Sequence, residues 1–400
     1  MSNGKGGFIG QDGLNAPDEP TDVTVSGGVD GVASVAFTAP TDVGASAITG
    51  FVATASTGVG ATGTSSPISI TGLTLGTAAT FRAYAVNAYG TSAASDATSS
   101  VTPAAGRAIF AGGYTGSDGS NVMDYITISS TGNASDFGDL DYKRYNHGGF
   151  SSSTRGIVAG GLALPADATD NVIQYVTIAS TGNTTDFGDL LAARHSHSGC
   201  ANSTRGIFFG GNAGGVDNVI QYITIATTGN ASDFGDLSAA RYALVGSLAS
   251  PTRAVACGGS TSSNALVNIM EYVTIANTGN VTDFGNLTAA ASNGNGASCN
   301  NTRGLIALGY ADENVDTVDF ITIASAGNAT DFGNLSAIRK YAGSTAGGDR
   351  AVVAGGDNSG ALNIIDYFTI TSAGNATDFG DLTVSRGRIS TMSNSHGGLS

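Results

Sequence analysis

One seven-residue phrase occurs six times in this chain. It reads RAIFAGG from Arg107, RGIVAGG from Arg155, RGIFFGG from Arg205, RAVACGG from Arg253, RGLIALG from Arg303 and RAVVAGG from Arg350. Successive arginines lie 48, 50, 48, 50 and 47 residues apart. A near-constant period of this size, carried by strand-type sequence, requires a repeat architecture whose units cannot bury their apolar faces alone. A β-propeller with one four-stranded blade per repeat meets that requirement. The five intervals span 243 residues, and the 294 residues from Arg107 to Ser400 hold six such units with nothing left over.

The bulk numbers agree with an all-β chain and exclude several roles. Sixty glycines, three lysines and no tryptophan describe turn-rich sequence, and no stretch of about 15 residues carries a helical stripe. A net charge of −15 argues against nucleic acid, whose phosphates need a basic face. It argues equally against docking on anionic lipid. Cys200, Cys257 and Cys299 are odd in number and lack metal-type spacing, so no disulfide framework is expected. The opening MSNGKGGFIGQDG holds no apolar run of signal-peptide length, and no segment is apolar enough to span a bilayer as a helix. Folding in cytoplasm is therefore expected.

Residues 1–19 read as a glycine-rich leader that orders only against a partner. Residues 20–103 differ from the repeats. The runs VTVSG, VASVAFTAP, ITGFVATAS, PISITGL and TFRAYAVNAYG alternate in polarity between Gly, Pro and Asp turns, which predicts an immunoglobulin-like sandwich of seven short strands. Through ITGLTLGTAATFRAYAVNAYG, with Leu73 at the turn and Tyr84 in the next strand, this segment resembles a fibronectin type III domain. Phe37 stands where that family has its core tryptophan, and Ala79 where it has the corner tyrosine. No Arg-Gly-Asp triplet is present.

Residues 104–400 form the repeat region. In the unit from His195, HSHSGCANST is expected to be the innermost strand and RGIFFGG an apolar strand buried on both faces. NVIQYITIA follows, then a tight turn at TTGN and a rim strand around SDFGDL. This order resembles the kelch repeat, with Phe187 or Phe234 taking the volume of the missing tryptophan. Arg107 directly follows the linker TPAAG, so the first unit lacks an innermost strand. The tail SRGRISTMSNSHGG from Ser385 aligns with ARHSHSGCANSTRG, so the C-terminal strand is expected to close the wheel and remove exposed edges. The expected fold is thus an immunoglobulin-like sandwich followed by a six-bladed kelch-like propeller closed by its last strand.

Two sets of charged residues recur in register: Arg107, Arg155, Arg205, Arg253, Arg303 and Arg350, with Asp136, Asp186, Asp233, Asp283, Asp331 and Asp378. Hard-cation chemistry would make the aspartates a calcium ring. Repetition in every unit points instead to a scaffold role, as an Asp–Arg pair or a turn cap, because one active centre needs one constellation. His147, His195 and His197 fall on the expected inner strands, the last two on one face, where imidazoles lining a channel could hold a transition metal. Leu244 and Ala342 at equivalent positions break any ring. Asn133, Asn183, Asn230, Asn280, Asn328 and Asn375 match glycosylation acceptors but read as hairpin residues. No nucleophile elbow, phosphate loop or Cys/His pairing is present, so no enzyme activity and no cofactor is expected. The loops after each double glycine vary between units, which places binding on a constant frame with variable loops.

The phrases GKGGFIGQDGLNAPDEP, TAPTDVGASAITGF and TGNATDFGDL resemble virion proteins of bacteriophages, particularly those of marine and cyanobacterial phages. The resemblance implies a non-enzymatic tail-fibre, tail-associated or capsid-decorating protein, located on the virion and oligomeric there. Its partners would be other virion proteins, met through the leader and sandwich, and a host-surface glycan. A propeller glycan hydrolase or lyase and a cellular kelch-like adaptor are the alternatives.

Overall fold

A computed structural model describes residues 15–399, so residues 1–14 of the expected leader lie outside the described residues. The chain is all-β; a single 3-10 turn at Gly397–Leu399 is the one helical element among the described residues. It divides into two compact units, Met1–Ala105 and Gly106–Ser400. The division falls two residues later than the linker reading placed it, because Ala104 is tied to the first unit. Its N–H donates to the Gly28 carbonyl, and its own carbonyl accepts from Asp30.

The first unit has seven strands: β1 (Thr21–Val29), β2 (Val32–Thr38), β3 (Ile48–Ala55), β4 (Gly60–Gly63), β5 (Ile68–Ile70), β6 (Phe81–Asn87) and β7 (Gly90–Thr91). They form two antiparallel sheets, ordered β1-β2-β5 and β4-β3-β6-β7. Alternation places Ala33, Val35 and Phe37 of β2, Phe51, Ala53 and Ala55 of β3, and Phe81, Ala83 and Ala85 of β6 in one core. Phe37 packs on Phe51 with ring centroids 4.9 Å apart. Ala79 is buried in the same core. The leader's end is not free: Asn15 accepts at its carbonyl from Ala45 N–H and from the Asn87 side chain. One feature escaped sequence reasoning. Beyond β7, Ser92, Ser95 and Thr98 accept through their hydroxyls from the N–H groups of Ala85, Ala83 and Phe81. Side chains at a spacing of three thus cover this edge of β6 in place of a regular strand, which guards it against intermolecular pairing.

The second unit holds six four-stranded antiparallel sheets. In sheet 2 the order is Gly148–Ser151, Arg155–Ala159, Val172–Thr177, Thr185–Asp189, and sheets 3 to 6 repeat it along the chain. Sheet 1 takes its first strand from the other end of the sequence. Ser390–Ser393 pairs antiparallel with Arg107–Ala111, Met392 lying opposite Ile109, and Asn394 Oδ1 accepts from Arg107 N–H at 2.7 Å. The double-glycine strands are apolar after their leading arginine because each serves two cores. Ile109 and Ala111 pack with Val158 and Val176 of sheet 2, whereas Ala108 and Phe110 pack with Val352 and Ile365 of sheet 6. The remaining junctions repeat this, giving six cores between consecutive sheets.

Each DFG phenylalanine fills its junction. Phe187 is buried edge-on to Tyr175 with centroids 6.1 Å apart, and the other five sheets repeat the contact at 5.8–6.1 Å. The glycine after it is obligatory. Gly188 has φ +147°, and a Cβ there would lie 2.5 Å from the Gly229 backbone of the next sheet's hairpin. The three cysteines are buried free thiols, and burial pushes Cys257 and Cys299 up to about 12.

Candidate functional site

Just ahead of each sheet's first strand stands one residue in the left-handed region: Asn146, Ser196, Ala243, Asn293, Tyr341 and Arg388, with φ between 49° and 61°. Four of these are neither Gly, Asn nor Asp, and each such conformation costs on the order of 1–2 kcal/mol. The cost is offset by one network. Ser196 N–H donates to the Asn146 carbonyl, Ala243 to Ser196, Asn293 to Ala243, Tyr341 to Asn293, Arg388 to Tyr341, and Asn146 to Arg388, at 2.6–3.3 Å. The last bond returns to the first residue, so the cycle is closed. The six residues line a cavity of about 140 Å³, whose remaining wall is mostly Gly, Ser and Ala.

The variable loops lie at the same end of the sheets, since the N–H of the second glycine in Gly112-Gly113, Gly160-Gly161, Gly210-Gly211 and Gly355-Gly356 donates to the carbonyl of Arg144, Arg194, Arg241 and Arg386. Those arginines precede the cycle residues by two positions and are buried. Arg386 pairs with Asp124 at 2.9 Å, Arg339 with Asp366 at 2.9 Å, and Arg241 with Glu271. Arg194 and Arg144 instead reach Asp217 at 3.2 Å and Asp170 at 3.6 Å, because Gln221 and Gln174 occupy the acidic position of their sheets. Sequence reasoning missed this set, although the recurring AAR of residues 192–194 and 239–241 carried the signal.

At the junction of sheets 4 and 5 Ala291 replaces the arginine, and Asp319 is buried with Thr288 N–H and Oγ1–H as its donors. Desolvation raises the Asp319 pKa above the usual carboxylate range, against the lowering effect of Thr288. A carboxyl whose folded pKa is raised favours folding while protonated, and this contribution is lost as pH climbs through the raised value. Asp319→Asn is therefore expected to melt higher than the parent at pH 7, and the gap should close as pH falls to about 4, the ordinary aspartate range. Calorimetric melting of both proteins across that range checks the sign; a lower melting point at pH 7 would remove the argument.

The predicted arginines lie at the opposite end from the loops and pair with none of the aspartates. Arg155 stacks its guanidinium 4.3 Å from the Tyr175 centroid and donates to the Ile225 carbonyl of the next sheet at 2.8 Å. All six repeat this, stacking at 4.1–4.7 Å. All six donate to the following sheet at 2.7–3.0 Å, and Arg350 returns to Ile128 of sheet 1. The expected Asp–Arg pair is thus replaced by a stack, because the guanidinium reaches an aromatic face and a carbonyl first.

Asp136, Asp186, Asp233, Asp283, Asp331 and Asp378 are exposed on the fourth strands and take part in no ion pair among the described residues. The repeated asparagines do more than turn a hairpin. Asn183 Oδ1 accepts from Asp139 N–H of the preceding sheet at 3.0 Å, and Asn230, Asn280, Asn328, Asn375 and Asn133 make the same bond.

The histidines fall differently from the inner-strand reading. The first strand of sheet 3 begins at Ser198, and left-handed Ser196 breaks the alternation that would put His195 and His197 on one face. His195 is half-exposed, with Nδ1 2.9 Å from Ser196 Oγ. His147 and His197 line the cavity with buried rings. His147 Nε2–H donates to the Ala111 carbonyl, and burial, aided by Arg144, holds its pKa down to about 3. His197 lies edge-on to Phe208 at 5.5 Å. Among the described residues no three His, Cys, Asp or Glu side chains form a metal-binding group.

Around the loop end gathers an aromatic and cationic cluster that sequence reasoning did not foresee. The Arg388 guanidinium lies 4.5 Å from the Tyr341 centroid and 5.5 Å from those of Tyr114 and Tyr145. Lys340 Nζ lies 5.1 Å from Tyr310 and 5.4 Å from Tyr341. Loops held by a rigid frame and carrying aromatic faces beside cations can bind a polar ligand. No known protein family and no curated protein matches the sequence.

Proposed function

We propose that residues 106–400 form a six-bladed propeller of kelch-like strand order and that the first unit is a fibronectin type III-like sandwich. On this reading the chain is a non-enzymatic structural protein of a bacteriophage particle. The leader and first unit attach to other virion proteins, copies assemble on the particle, and the variable loops of the propeller meet a host-surface glycan or a neighbouring virion protein. One observation carries the reading. Three sets of repeated bonds, from the left-handed residues, the second-strand arginines and the hairpin asparagines, each run from sheet to sheet and return to the first. Such a frame is rigid, and loops of differing length and sequence follow the second strands at one end of it, the pattern of a presenting scaffold.

Mass spectrometry and cryo-electron microscopy of purified particles test the proposal. Density for the six-sheet unit at a defined position on the particle is expected. A chain made in infected cells but absent from particles would overturn it. Turnover in a screen of host polysaccharides would favour the hydrolase or lyase alternative, which needs a positioned carboxylate pair.

A further inference from the structure

We infer that the notch between the loops of sheets 6 and 1 binds a saccharide unit bearing a carboxylate, an inference that rests on reading the variable loops as a contact surface. The cavity there measures about 360 Å³, within the roughly 300–1,000 Å³ of small-ligand clefts. Tyr114, Lys340, Tyr341, Asp357, Ser359 and Arg388 supply its side chains, and glycines complete the lining.

The charges decide the ligand. Every other lysine and arginine among the described residues donates to a carbonyl or carboxylate. Lys143 meets Asp118, Arg82 meets the Ser95 carbonyl, and each member of the two repeated arginine sets reaches a carbonyl or carboxylate oxygen. Lys340 and Arg388 alone among them have no oxygen partner. In a chain of net charge −15, two such cations converging on one cavity call for an anion. A guanidinium grips a carboxylate through two parallel N–H donors, and an ammonium beside it adds charge.

The remaining lining selects a sugar. Tyrosine faces offer flat apolar area with a polar rim, and Asp357 and Ser359 match hydroxyl groups. No aliphatic side chain lines the cavity, which disfavours a peptide anchored by an apolar residue. Asp357 also repels the ligand's carboxylate, turning it toward Arg388 and Lys340. The equivalents of Arg388 are Asn146, Ser196, Ala243, Asn293 and Tyr341, so this junction alone is cationic at that position.

Titration calorimetry of the full chain with trigalacturonate and sialyllactose tests the site, with maltotriose, lactose and a tetraglutamate peptide as comparisons. At least one acidic saccharide should bind about tenfold or more tightly than its neutral comparison and than the peptide, and the affinity should fall with added salt. Lys340→Gln should weaken binding about tenfold with an unchanged melting temperature, and Arg388→Gln should weaken it further. The lysine variant keeps the test open even if Arg388→Gln misfolds. Failure of both acidic sugars to bind, equal binding of neutral sugars, tighter binding of the peptide, or indifference to Lys340→Gln would overturn the inference. A chain present in particles yet blind to acidic sugars refutes this site and spares the particle reading; a chain that binds them but is absent from particles does the reverse.

Discussion

Deleting residues 386–400 is expected to lower the melting temperature of the six-sheet unit by tens of degrees, while the transition of the first unit stays in place. The deletion removes the strand that pairs with Arg107–Ala111 and two bonds of the closed backbone cycle, given and received by Arg388. It strips Ile389 and Met392 from the cores on either side of sheet 1, about 1.5–3 kcal/mol for each buried side chain. It also leaves Asp124 buried without Arg386. Together these rival the roughly 5–15 kcal/mol that stabilises a typical domain. Differential scanning calorimetry of the full and shortened chains measures the outcome. An unchanged transition of the six-sheet unit would show that the last strand contributes nothing to closure, and the argument from the three cycles would fail with it.

Asp124→Ala should destabilise the same unit by about 3–5 kcal/mol, because it strands the Arg386 guanidinium in a site that excludes water. Both partners are fully buried, so solvent screening does not soften the loss. At about 2–4 °C per kcal/mol for chains of roughly this size, the melting point should fall by about 10 °C. Replacing both partners, as Asp124→Leu with Arg386→Met, should recover much of the loss, since a buried pair gains little over apolar packing of similar volume. The arginine is indispensable only while its carboxylate remains, whereas the carboxylate also accepts from Thr383 N–H and Oγ1–H. Tolerance of Asp124→Ala alone would mean that water reaches the pair.

Much of the frame was legible in the chain. The period of the arginine phrase, the double glycines and the tail homologous to an inner strand correctly placed four strands per repeat and the return of residues 390–393 to sheet 1. The DFG phenylalanine, read as taking the volume of a missing tryptophan, is buried edge-on to the third-strand aromatic ring of its sheet. Partners were harder to read than positions. The repeated arginines and aspartates looked like mates because they recur together. Their separation in space comes from the third strand, which lies between the second-strand arginine and the fourth-strand aspartate, and the arginine meets a tyrosine ring and a carbonyl from the next sheet. His195 and His197 were read onto one face because alternation was assumed to run to the start of the phrase. A single left-handed residue, Ser196, breaks it. The cluster of Tyr114, Tyr145, Tyr341 and Arg388 had no linear signal, since its members come from four connections spread over some 270 residues.

What the sequence determined by itself was therefore the repeating unit: strand count, the doubly buried second strand, the hairpins and the means of closure, all set by local pattern and period. What only the tertiary structure decided was which charges are neutralised. Pairing across sheets depends on neighbours some 70 or 220 residues away. Once those bonds are made, two cations are left over at one junction, and that remainder is a property of the folded frame.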